Sequence, residues 1–161
     1  MIRKIGFMLF VFALLATRVL AEDVPKKGYK MDFVVKEVEG SRVLNSRTFS
    51  TVMGPNGCSV RSGSKYPVHQ PGTAGVNYLD IGVNIDCGDV HEIAGELAMM
   101  VTADLTTVPP ELKPGEVPVI RQNKWRSQVV IPVRKPTTVF SSDDLASRSR
   151  IQLEITATPL N

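Results

Sequence analysis

Few side chains in this sequence have the types and spacing that chemistry demands. The histidines are His69 and His91. His91 stands between Asp89 and Glu92, and such a trio can in principle supply metal ligands or a general base. Neighbours on one strand or turn do not converge on a point, though, and no second histidine stands two or four positions away. His69 lies among Pro and Gln in a loop. Both histidines are read as solvated turn residues. Asp80, Asn84 and Asp86 form a second group, at even spacing on one face of a strand. Paired carboxylates perform acid–base work, but any strand with a wet face displays the same pattern. No serine sits in a G-x-S-x-G elbow. Neither Gly54-Pro55-Asn56-Gly57 nor Gly72-Thr73-Ala74-Gly75 leads from a strand into a helix, so neither cradles a phosphate. The sequence assigns no catalytic, cofactor-binding or metal site, and no small-molecule substrate is evident.

Cysteine and tryptophan carry more information. Cys58 and Cys87 are the two cysteines of the chain. In an oxidising compartment they are a disulfide candidate. Closing the loop between them would stabilise the fold by about 3 to 4 kcal/mol if chain entropy sets the scale. Two separate thiols, one per strand, remain the alternative, because sequence does not fix the Cα separation. Neither belongs to a CxxC pair, and two cysteines with two scattered histidines do not have zinc-site spacing. Trp125 is the single tryptophan, set in the basic segment Arg121-Gln122-Asn123-Lys124-Trp125-Arg126. Trp125, Arg121 and Arg126 are candidate partner contacts. A core or rim aromatic closing one end of a β-sandwich is the competing reading for the tryptophan.

The elements that must hold these residues are strands. In Tyr78-Leu79-Asp80-Ile81-Gly82-Val83-Asn84-Ile85-Asp86 every second residue from Leu79 is aliphatic and those between are not. That alternation marks a strand with one buried face. Leu97, Met99, Val101, Ala103 and Leu105 repeat it, as do Ile151, Leu153, Ile155 and Ala157. Met31–Val38 and Arg42–Val52 flank the turn candidate Glu39-Gly40-Ser41. Cys58–Arg61 and Lys65–Val68 read as two short strands parted by Ser-Gly. Ser127–Val133 and Thr137–Phe140 flank a second turn candidate, Arg134-Lys135-Pro136, and Pro132 places its strand at an edge or beside a bulge. Residues His69–Gly75 and the proline-bearing Val108–Pro118 read as loops. Asp143–Ser149 is the one place for a short helix. The expected class is all-β, an antiparallel β-sandwich or curled sheet with at most one short helix.

The N-terminus sets the compartment. Arg3 and Lys4 precede the apolar run Ile5–Ala16, and Val19-Leu20-Ala21 fits a cleavage site. Arg18 interrupts the run before it reaches the length of a membrane span. Residues 1–21 are therefore expected to be a secretory signal peptide, with 22–161 a single β-rich domain. Removing the signal takes three of 19 basic residues and none of the 16 acidic ones, leaving 16 of each. A balanced domain offers no electrostatic case for nucleic acid.

Several segments, in order, carry a family likeness. They are Val60-Arg61-Ser62-Gly63-Ser64-Lys65-Tyr66-Pro67-Val68, then Tyr78–Ile85, Gly95–Val101, Pro118–Arg121 and Ser127–Phe140. Across residues 58–158 the series resembles the β-domain of bacterial secretins, outer-membrane channels of type II secretion and type IV pilus systems. Asn84-Ile85-Asp86-Cys87 stands where secretins carry Val-Thr-Pro, and Ser141-Ser142 where they carry Gly-Gly. The ring-forming domains that precede the secretin channel are not found. The resemblance implies a secretin-like fold and an exported location: periplasmic, outer-membrane-associated or extracellular. The expected role is non-enzymatic, through a protein partner or self-association. An oligomeric outer-membrane pore component is the second class, and a small secreted hydrolase or metal-binding protein the third.

Overall fold

The structure, a computed structural model, describes residues 28–69, 75–108, 119–144 and 148–160. The expected signal peptide, the proline-rich 109–118 and most of the 69–75 loop lie outside the described residues. Eight strands follow in chain order. They are β1 (Tyr29–Glu39), β2 (Arg42–Met53), β3 (Cys58–His69), β4 (Val76–Ile93), β5 (Glu96–Thr107), β6 (Arg121–Pro132), β7 (Thr137–Asp143) and β8 (Ser149–Pro159). They form two four-stranded sheets, β2-β1-β8-β7 and β3-β4-β5-β6. Every pairing is antiparallel. Neither sheet closes on itself, so the two stack as a sandwich.

Alternation places the core. Met31 and Phe33 of β1 and Leu153 and Ile155 of β8 are fully buried, facing Ile85 of β4, Leu97, Met99 and Val101 of β5, and Ile131 of β6. Each such side chain contributes roughly 1.5–3 kcal/mol by leaving water. The partner of β1 across its second edge is β8, in register from Tyr29↔Pro159 to Glu39↔Ser149. The first and last described segments are thus tied together, and the Leu160 N–H donates to the Gly28 carbonyl at 2.8 Å.

Three expectations change in detail. Ser62-Gly63 does not interrupt β3, which runs unbroken. Gly63 pairs directly with Gly82 of β4, and a Cβ on either would stand 2.1 Å from a carbonyl oxygen of the facing strand. Glycine here permits close approach of two backbones; it is not a breaker. Arg134-Lys135-Pro136 is a turn but no hairpin. It carries the chain from β6 in one sheet to β7 in the other, and the Arg134 N–H donates to the Ala157 carbonyl at 2.8 Å. The segment expected to hold a short helix begins as the last residue of β7 and ends as the first of β8. The Asp144 N–H donates to the Ser149 carbonyl at 2.9 Å, while 145–147 lie outside the described residues. No helix occurs among the described residues.

β4 is the long strand, and it outruns its sheet. Its ladder with β5 starts only at Gly82↔Thr106. Before that point Val76–Ile81 pairs, among the described residues, with Ser64–His69 alone, a two-stranded ribbon extending from the sandwich.

Candidate functional site

The histidine cluster does not assemble. A bulge falls between Gly88 and His91, and Asp89 there takes a φ of 50°. His91 Nδ1 lies 3.1 Å from the Asp89 carbonyl oxygen. The Glu92 carboxylate turns elsewhere and accepts a hydrogen bond from the Tyr29 hydroxyl. Burial, that hydrogen bond and the carboxylate charge together push the Tyr29 phenol up to about 12. This contact joins β1 to β4 across the sandwich. His69 pairs with Val76 at the far end of β4, on the order of 50 Å of strand away from His91. Among the described residues, no group of three or more His, Cys, Asp or Glu is placed to hold a metal ion.

The carboxylates on the wet face of β4 meet cations on β3. Arg61 Nη2 lies 2.7 Å from Asp86 and Lys65 Nζ 3.5 Å from Asp80. Cross-strand pairs of this kind contribute roughly 0.2–1 kcal/mol each. They tie an edge strand to its neighbour, and they leave neither carboxylate aimed into a cleft. Asp32 behaves alike: a 2.5 Å hydrogen bond from Ser50 and the nearby Lys30 ammonium hold its carboxyl below the usual range against some burial.

Cys58 and Cys87 are directly opposed in the β3–β4 ladder and are joined, with Cα atoms 5.0 Å apart. The sequence left two free thiols open as an alternative; the register removes it. Cys87 is buried, with the Met53 sulfur 3.9 Å away.

The basic tryptophan segment becomes the first half of β6, and its three candidate contacts divide between two faces. Trp125 is half-buried and packs on Phe140 of the opposite sheet, ring centroids 5.6 Å apart. Arg121 reaches Asp144 at 3.1 Å. Arg126, one residue beyond Trp125, is exposed. Alternation requires this division. It places Trp125 in the rim of the core and keeps Arg126 on the outer face. The structure thus does not gather the three into one patch.

What the described surface offers is open strand edges. β2 and β7 bound one sheet, β3 and β6 the other. At one side of the sandwich β2 stacks near β3, and at the other β7 stacks near β6. Sequence reasoning did not identify these edges, because strand order depends on pairing between distant segments such as β1 and β8. Pro132 was the one local signal, and β6 is indeed an edge.

The fold is secretin-like, as the solved structures that match it show. The type II secretin XcpQ from Pseudomonas aeruginosa matches with a TM-score of 0.55 at 11% identity, over 86% of this chain and 60% of that one. The secretin-domain β-barrel of InvG from the Salmonella SPI-1 injectisome matches with a TM-score of 0.50 at 9% identity, over 84% and 62%. The type II secretin GspD of enteropathogenic Escherichia coli gives 0.50 at 9%, over 84% and 66%. GspD in the ETEC pilotin–secretin AspS–GspD complex gives 0.50 at 9%, over 84% and 47%. The chain therefore spans at most 66% of the length of these solved chains. At such identities the likeness is one of fold. No protein-family model matches the sequence, and no curated protein matches it significantly.

Proposed function

We propose that this chain is an exported, non-enzymatic protein of the cell envelope whose secretin-like β-domain works by protein–protein contact. One observation carries the reading: both sheets are unclosed, and their edges lie in pairs at the two sides of the sandwich. Unpaired edges expose rows of backbone donors and acceptors, which another chain can satisfy. The signal-like residues 1–21 supply the route of export. The pairing of a secretin with a pilotin in a solved complex supports protein contact as the mode of action.

A second reading has its own support. Each sheet has four strands, so its two edge strands run in opposite directions. Copies placed side by side would extend both sheets antiparallel at once, as an oligomeric outer-membrane pore component requires. Light scattering of the processed chain without detergent, together with fractionation of the producing cells, tests both. A small soluble species in the envelope fraction is expected. Rings that form only in detergent would move the assignment to the pore component. Retention in the cytoplasm would overturn both, and stoichiometric metal in elemental analysis would revive a metal-dependent activity.

A further inference from the structure

The four open edges are not equally guarded. β3 carries Gly63 and Pro67 within its length. β7 has seven residues and a register break between Thr138 and Phe140. β2 meets β1 across a register break at Glu37/Val38. Short strands, bulges, prolines and charged side chains keep sheet edges from pairing. β6 has only the last of these: its ladder with β5 runs without a shift from Thr107↔Arg121 to Glu96↔Pro132, and its one proline is its last residue.

The charge on β6 is equally one-sided. Its twelve residues include Arg121, Lys124 and Arg126 and no carboxylate. Lys124 lies 3.3 Å from Asp104 of β5 and Arg121 3.1 Å from Asp144, their side chains still 66% and 46% exposed. Arg126 is exposed and has no ion-pair partner among the described residues. Every second backbone N–H and C=O of an edge strand points away from its sheet. The β6 edge therefore combines a regular hydrogen-bonding row with positive side chains that repel like-charged strands and favour an acidic one.

We infer that the β6 edge receives an extended acidic segment of a partner protein as an added strand. This deepens the protein-contact reading and rests on it. A second copy is a poorer occupant. The edge that would meet β6 in side-by-side assembly is β3, which has no carboxylate of its own and whose Arg61 and Lys65 already pair with Asp86 and Asp80 of β4; β2 has Arg42 and Arg47 and no carboxylate either. An acidic strand satisfies both the backbone row and the cations: main-chain hydrogen bonds give affinity and side-chain complementarity gives choice.

The probe is a labelled twelve-residue peptide alternating Glu with Val or Thr, titrated into the processed chain by fluorescence anisotropy. Its control has Lys in place of every Glu. The acidic peptide is expected to bind and the basic one not to. Arg126→Glu should weaken binding about fivefold, since a single exposed charge contact is modest. Amide exchange should slow along β6 on binding. Equal binding of both peptides overturns the inference, as does indifference to Arg126→Glu or slowed exchange confined to other strands. If light scattering instead shows self-assembly that protects β6 without peptide, the edge belongs to a second copy. That outcome overturns the acidic-partner inference and keeps the protein-contact reading. Absence of peptide binding without assembly overturns the acidic-strand inference and leaves the protein-contact reading to its own test.

Discussion

Replacing Cys58 and Cys87 by alanine tests how much of this sandwich is held by its one covalent cross-link. The two residues are 29 positions apart. Chain entropy assigns a closed loop of that size roughly 3.5 kcal/mol of stabilisation at room temperature. The link also fastens an edge strand to its neighbour, so its loss frees β3 at the point where the chain enters the second sheet. A loss of that size lowers the midpoint of thermal unfolding by about 10 to 15 °C for a domain of this length. Urea unfolding followed by Trp125 fluorescence measures it, because the indole packs across the two sheets on Phe140 and its environment changes when they part. The wild-type chain unfolded under strong reductant is the control, since it loses the bond and keeps both sulfurs. If cross-linking is the cause, reduced wild type and the double alanine variant fall by similar amounts. A loss below about 1 kcal/mol in both would refute the argument. A loss confined to the alanine variant would trace the effect to packing of the buried Cys87 side chain.

Three other outcomes follow from specific contacts. Gly82→Ala places a Cβ 2.1 Å from the Ser62 carbonyl at a φ of +140°, and should cost about 2 kcal/mol or more in urea unfolding. Phe33→Ala empties a fully buried site at the centre of β1 and should cost about 3–5 kcal/mol by the same assay. The Tyr29 phenol holds its proton to about 12 in the folded chain, against about 10 when unfolded. Its contribution to stability is therefore complete below pH ~10 and is lost as pH rises from there through about 12. Glu92→Gln removes the carboxylate charge and should bring phenolate absorbance up at lower pH, measured with Tyr66 and Tyr78 replaced by Phe.

The parts of the fold that could be read from the sequence are those where one face of a strand is buried. Tyr78–Asp86, Leu97–Leu105 and Ile151–Ala157 declare themselves by alternation, and they became the middle of β4, β5 and β8. The beginning of β6 was hidden because Arg121–Arg126 is polar on one face and holds a single large apolar residue on the other. β4 runs on to Ile93 because Asp89 absorbs a bulge, which local pattern shows only as a lapse in alternation. Gly63 read as a break because a single strand does not reveal that Gly82 lies opposite. The cysteine pair was legible as a possibility and became definite through register. The candidate contacts Trp125, Arg121 and Arg126 divide between two faces for a simple reason: neighbours in sequence on a strand point to opposite faces.

The hydrogen bond between Leu160 and Gly28 brings the two ends of the folded unit side by side. Such adjacency lets a domain be inserted into a host protein or rejoined head to tail without unthreading its sheets. Whatever the chain carries ahead of Gly28 departs next to Leu160, at the pole away from the β3–β4 ribbon. A tether fixed at that pole would leave the ribbon facing outward, free of its own anchor.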